Sequence, residues 1–445
     1  MKIPKKRSIS RRTYKRRTLV ITGGVLIVFS LSLLFTAVMS QIVANNLQVI
    51  TNGNGVVGED GASISRAFDA VLAEQRKAAE AATKNQQFAA APPVIQPQVE
   101  GATTSCKPNT TASKKYAISQ SPMIQKYAEY VALCGEGTAK RLMFFAGMPG
   151  AVGDIPEMTQ DMAVALKTFA AVGLAPLVIV EPIANNQKID LQTIKEGTYN
   201  SLFDQYFAAL KQKGITDAQM GMWVPFPENN LPEWGNVDPD TFAANVTTYV
   251  GYQKKYFPAS QASIMLDPMT YKPTASGFDD GSYISLSPWV KNIPKGLINS
   301  FGMQGFPWAS AANDASHETN ESADVFLPSG LAAEAAKLLG VSKIWLNTGT
   351  FSDRYTDSAS AKIHRSAAQR LQTFTTTARQ VALLQAKGFS VSVNLFNQDK
   401  SNADEAVNWS YWPAGQPGAA DSNVFISFTD VLRKNGIDLW LFDVK

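Results

Sequence analysis

The stretch GMWVPFPENNLPEW, residues 221–234, decides how the rest of the chain is read. Its first half is an apolar run suited to a buried strand. Pro225 and Pro227 cannot donate to a ladder, so the strand has to end there. A single carboxylate, Glu228, arrives where the pattern breaks into prolines and asparagines, with Trp223, Phe226 and Trp234 around it. A carboxylate at the carboxyl end of a buried strand is where parallel barrels carry working residues. The competing reading is a strand-end glutamate that caps the next loop.

Outward from this stretch, apolar runs recur at 142–146, 176–180, 220–226, 262–266, 297–305, 343–346, 390–396 and 437–444. Helical patterns lie between most of them. Gly173, Gly214, Gly340, Gly388 and Gly436 close helices just before the next run, the punctuation of a parallel sheet. Eight strands is the number that closes a (β/α)8 barrel. An open doubly wound sheet is the alternative, but no G-x-G-x-x-G follows the first strand.

The formal net charge of +4 comes from the N-terminus, where nine Lys and Arg fall within the first 17 residues and no acid precedes Glu59. The remainder is mildly acidic and gives no electrostatic case for a nucleic-acid partner. The segment Thr18–Val43 carries no charge. About 20 apolar residues span a bilayer as a helix, and basic residues before them keep the N-terminus cytoplasmic. The apolar core outruns an ordinary signal peptide and no clean A-x-A site follows, so an uncleaved signal anchor is expected rather than a cleaved leader.

The expected organisation is a basic tail over 1–17, an anchor over 18–43, a stalk over 44–112 and a barrel over 113–445. The stalk holds an Ala-rich helical stretch with Ile64, Phe68, Val71 and Leu72 on one face, then Pro92, Pro93 and Pro97. It lifts the body from the surface and offers a route to oligomers. Ser121-Pro122 opens the first body helix, serine as cap. Cys106 and Cys134 are the only cysteines, and outside the membrane such a pair is expected to be bridged. With only His317 and His364 present, no multi-histidine metal site and no cofactor is expected. Asp279-Asp280 and Asp404-Glu405 read as solvated loops before calcium sites.

Strand ends gather Glu181, Glu228 and Asp267, the amides Asn230, Gln304, Asn347 and Asn397, and the aromatics Trp223, Trp234, Tyr271, Phe306, Trp308, Trp345, Trp409, Tyr411 and Trp412. Flat rings suit the apolar faces of pyranoses and amides suit hydroxyls, so the expected partner is a polysaccharide. The runs PLVIVEP (176–182), EGTYNSLFD (196–204), PENNLPEWG (227–235) and DPDTF (238–242) resemble glycoside hydrolase family 26, the β-mannanase-type group of clan A. The resemblance implies Glu228 as acid/base with Asn230 and Trp234 as its companions; the strand-end reading itself assigns Tyr271, Trp308, Trp345, Asn347, Trp409 and Trp412 to the substrate groove.

Two departures stand out. Val224 and Pro227 occupy the places of that family's arginine and histidine, and Asn347-Thr348-Gly349 stands where its E-x-G nucleophile belongs. A second carboxylate is then needed: Glu181 comes first, Asp267 next and Asp399 third. Separations of about 5–5.5 Å mean retention and about 6.5–9.5 Å inversion. In the family's strand order, run 142–146 is strand two, so the C-terminal run 437–444 would fill the strand-one slot of a circularly permuted barrel. A tethered glycan-binding pseudo-enzyme and a structural envelope protein remain the alternatives to an enzyme.

Overall fold

All eight expected runs form strands, and they pair in parallel into one closed ring. The computed structural model describes residues 106–119, 121–231, 237–268, 284–306, 327–349, 353–355, 362–363, 367–400, 407–408 and 419–442. The strands are β1 (Arg141–Ala146), β2 (Ala175–Val180), β3 (Met222–Pro225), β4 (Gln261–Leu266), β5 (Ser300–Gln304), β6 (Lys343–Thr348), β7 (Ser390–Phe396) and β8 (Asp438–Phe442). Each pairs with its neighbours in sequence, and β8 lies between β7 and β1. Followed round the ring from Phe145, the pairing returns to β1 eight residues earlier, the stagger of a (β/α)8 barrel.

The helices are α1 (Thr110–Ala117), α2 (Pro122–Cys134), α3 (Ile155–Ala171), α4 (Asn200–Gln212), α5 (Pro239–Tyr256), α6 (Ser329–Leu339), α7 (Ala367–Ala386) and α8 (Ala419–Lys434). The five helix-closing glycines all take φ between 65° and 87°, where a side chain would be strained. Between β4 and β5 the described chain has only a helical turn, Ser287–Val290. Ser121 occupies the cap position of α2, but its side chain makes no capping hydrogen bond there, contrary to the expected serine cap.

The ring is filled. Met143, Leu177, Ile179, Met222, Val224, Met265, Phe306, Trp345, Phe396, Trp440 and Phe442 form one buried cluster inside it. At the amino-terminal end, Arg141 donates to Gln261 Oε1 on the far side (2.6 Å) and lies over the Trp440 ring. Gly302 makes room for Trp345, since a Cβ there would come within 2.4 Å of the indole. Packing closes that end, so chemistry belongs to the carboxyl end.

Among the described residues the first elements are the helices α1 and α2 and the last is the strand β8. Met123, Tyr127 and Tyr130 of α2 line one small gap together with Leu142 of β1 and Leu441 of β8, and Tyr130 packs edge-on against Phe425 of α8. α2 thus stands where the helix following β8 would stand. The disulfide Cys106–Cys134 joins the segment before α1 to the last residue of α2. Around it, Cys106 N donates to Asp430 of α8, and Arg433 donates to Cys134 O at 2.9 Å. Among the described residues no helix is long and apolar enough to cross a membrane; the expected anchor at 18–43 and most of the stalk lie outside them. Replacing both cysteines by serine should lower unfolding stability by about 3–4 kcal/mol through the freed 28-residue loop, read by denaturant titration. A change near zero would mean that the bridge carries no loop-closure stabilisation.

Candidate active site at the barrel mouth

β3 ends at Pro225, and the next turn is held in an unusual shape. Phe226 and Glu228 both have positive φ, 54° and 55°, which non-glycine residues keep only when their surroundings force it. Here both neighbouring strands supply the force. Phe226 N donates to Val180 O of β2 (2.9 Å) and Glu228 N to Met265 O of β4 (3.0 Å). Asn229 Nδ2 donates to Pro227 O at 2.8 Å, and Leu231 N to Glu228 O at 2.8 Å. Asn230 pairs with the main chain of Asp267 in both directions: its Nδ2 donates to Asp267 O, and Asp267 N donates to its Oδ1 (3.1 Å).

The turn delivers the Glu228 carboxylate, half-buried, to the mouth, where Gln304 Nε2 donates to its Oε1. Asn347 Nδ2 donates to Gln304 Oε1 at 2.7 Å, and Asn394 Nδ2 to Asn347 Oδ1 at 2.6 Å. Glu181 stands just past the end of β2, whose Leu177 and Ile179 face the interior, and Asp267 just past the end of β4, whose Met265 does. Glu181 is half-buried, whereas Asp267 is 0% exposed. Three carboxylates therefore stand on the ends of three adjacent strands.

The other half of the mouth is aromatic. Phe145 of β1 meets Phe442 of β8 edge-on at 5.1 Å, Phe442 stacks on Phe396 of β7 at 4.7 Å, and Phe396 leans on Phe306 at 5.1 Å. Phe145 is the accessible member, 39% exposed.

Several sequence-based placements need correction. Trp345 is 0% exposed inside the barrel, its Nε1 donating to Ser263 Oγ at 2.9 Å, so it fills the ring rather than walls a groove. Trp223 and Phe226 do not surround Glu228; they are buried outside the ring against Phe207 of α4 and Tyr249 of α5. For Trp223 the reason is alternation, since Met222 and Val224 take the inward positions of β3; Phe226, in phase with those two, leaves the pattern where the backbone turns left-handed past the strand end. Asn230 is 6% exposed with its amide engaged on main chain, so it braces the turn. Asn347 is 1% exposed between two other amides, and Asn397 turns away to Tyr130. Trp234, Tyr271, Trp308, Trp409, Tyr411, Trp412, both histidines and the acidic pairs at 279–280 and 404–405 lie outside the described residues, as does the side chain of Asp399. Asn394, Phe145, Phe396 and Phe442 are additions. The lone amide in the apolar run SVSVNLF was the available signal for Asn394.

Two short sheets flank the mouth. Ile183–Ala184 pairs with Gln187–Lys188 just after Glu181. Segments following β6 and β7 join in a four-stranded antiparallel sheet. Among the described residues no group of three His, Cys, Asp or Glu could hold a metal ion.

No family model and no curated protein sequence matches the chain. Solved structures that resemble it are glycoside hydrolases by their descriptions. The β-glycosidase BGL167 shares 13% identity over 74% of this chain and 94% of that one, with a TM-score of 0.44. One of two fungal β-1,4-galactanases shares 13% over 64% and 86%, TM-score 0.41. A family 1 β-glucosidase from Thermotoga maritima shares 11% over 66% and 83%, TM-score 0.42. Likenesses at this level assign neither family nor activity; the ring of eight parallel strands rests on this chain's own pairing.

Asn230→Leu should destabilise the fold by about 1–3 kcal/mol, because it leaves buried polar groups at Asp267 unpaired. Thermal or denaturant unfolding reads this, and a neutral result would show that the Asn230 brace is dispensable.

Proposed function

We propose that the chain is a glycoside hydrolase-like protein acting on a β-linked polysaccharide, with Glu228 as its general acid/base. The observation that carries the reading is the placement of Glu228: a strained turn and an amide donor hold one half-buried carboxylate at the barrel mouth, with Glu181 and Asp267 at the ends of the two adjacent strands. In this reading Glu228 delivers a proton to the departing glycosidic oxygen and recovers it from water or from the incoming hydroxyl. Glu181 is the better second carboxylate, because it is accessible while Asp267 is fully enclosed. Phe145 offers a ring face to a pyranose, and Trp234, Tyr271, Trp308, Trp409 and Trp412 are assigned to the groove walls.

A family 26-like origin with a mannan-type substrate is the finer part of the proposal, supported by the motifs around residues 176–242. Circular permutation belongs with it. A ring of eight strands closes last-to-first in any case, but a helix, α2, before β1 and beside β8 suits the order in which that family's first strand comes last. The charge-free segment 18–43 behind nine basic residues supports a single-pass anchor, with the barrel outside the cytoplasmic membrane on its 44–112 stalk.

One observation favours a second reading, a tethered glycan-binding pseudo-enzyme. Asn347, which the family 26 resemblance sets at the nucleophile position, is engaged on both sides, and an amide cannot attack an anomeric carbon.

Reducing-end release from mannan, xylan and mixed-linkage glucan by the full-length protein separates the two. The enzyme reading expects turnover that falls by about 10²–10⁴-fold in Glu228→Gln with little change in KM. Binding by calorimetry without turnover, retained in the variant, would establish the binding module instead. Neither turnover nor binding would overturn both.

A further inference from the structure

Three consecutive strands each carry an amide side chain at this end of the barrel: Asn394 on β7, Asn347 on β6 and Gln304 on β5. Strand register sets them side by side, Asn394 opposite Asn347 and Asn347 opposite Gln304. They are 0%, 1% and 6% exposed. Asn394 donates to Asn347, Asn347 to Gln304, and Gln304 to Glu228. Along this file each of Asn347 and Gln304 accepts from the amide behind it and donates to the group in front.

The direction of such a file is not arbitrary. An ionised carboxylate only accepts, so it turns the Gln304 NH2 toward itself. Gln304 Oε1 then needs a donor, which orients Asn347, which in turn orients Asn394. The far end imposes no opposing preference: Asn394 Oδ1 is buried without a hydrogen-bond partner, and its Nδ2 lies 3.5 Å from Met143 Sδ, a weak acceptor. Reversing one amide alone would set two buried oxygens face to face.

We propose that Gln304, Asn347 and Asn394 act as one positioning device that aims Glu228 into the mouth and limits how far its proton affinity rises, so that it can both give and recover a proton. The inference rests on Glu228 being the reactive carboxylate, and it adds what governs that group. Glu181 and Asp267 stand at the ends of the two adjacent strands; in ionised form they raise that affinity by like charge, and the file works against them. The ends of the remaining strands contribute amides and phenyl rings; the titratable residues on the flanking short sheets are Lys188 after β2, Asp353, Arg354, Tyr355 and Lys362 after β6, and Asp399 and Lys400 after β7. Neither Asn347 nor Asn394 has to touch substrate in this role.

The test is a carboxyl-carbon NMR titration of the full-length protein labelled at glutamate Cδ, the Glu228 signal being identified by its loss in Glu228→Gln. Removing a donor from a carboxylate raises its proton affinity. The Glu228 midpoint should therefore move to higher pH in Gln304→Leu and, by a smaller step, in Asn394→Leu, whose site never meets the carboxylate. Met143→Leu, which leaves all three amides in place, should not move it. Asn394→Ser serves if the leucine variant does not fold. An unmoved midpoint in both Asn394 variants, with Gln304→Leu shifted, would overturn the three-residue device; an unmoved midpoint in Gln304→Leu would overturn it entirely. Turnover is not read here, so failure of the catalytic proposal would show separately.

Discussion

Everything at the mouth depends on ring closure by the last strand. β8 pairs with β7 through residues 438–442 and with β1 through Trp440 and Leu441. Until that strand arrives, the inner cluster lacks Trp440 and Phe442, and the surface under α2 lacks Leu441. The contacts that complete the barrel therefore join residues some 300 positions apart, the expensive kind in loop entropy and the slow kind in folding. The disulfide acts at the same seam: Cys106 and Cys134 hold α1 and α2 together, and Asp430 and Arg433 of α8 hold both to the segment that leads into β8.

Closure also explains why a strained turn survives. Two left-handed non-glycine residues cost roughly 1–3 kcal/mol each, and they persist because β2 and β4 grip the turn from both sides. Relaxed backbone would release Glu228 from the mouth. Strain and site are in this sense one feature, and the Asn230–Asp267 pairing links the turn to the strand that bears the enclosed carboxylate.

The strands were legible because parallel barrel strands are buried on both faces and read as unbroken apolar runs ended by glycine-closed helices. Their limits were less so. Met220 belongs to a helical turn, Asp217–Met220, and Leu297 and Ile298 are apolar residues outside the ladder, so apolarity overran the strands at 220–226 and 297–305. Which way a side chain faces was the harder question. Trp223 and Trp345 read alike as rim aromatics, yet alternation turns one outward under helices and the other into the ring, where Gly302 leaves space for it. The place of Glu228 just past a strand was legible from the proline-broken strand end. The amide file was not, because its members are far apart in sequence and meet only through register.

The most direct measurement is an experimental structure of Glu228→Gln bound to a β-1,4-linked manno-oligosaccharide. The sugar chain should cross the barrel mouth over Phe145, with a glycosidic oxygen about 2.6–3.2 Å from the side chain at position 228. A sugar bound elsewhere on the protein, or residue 228 turned away from it, would contradict the assignment of this carboxylate.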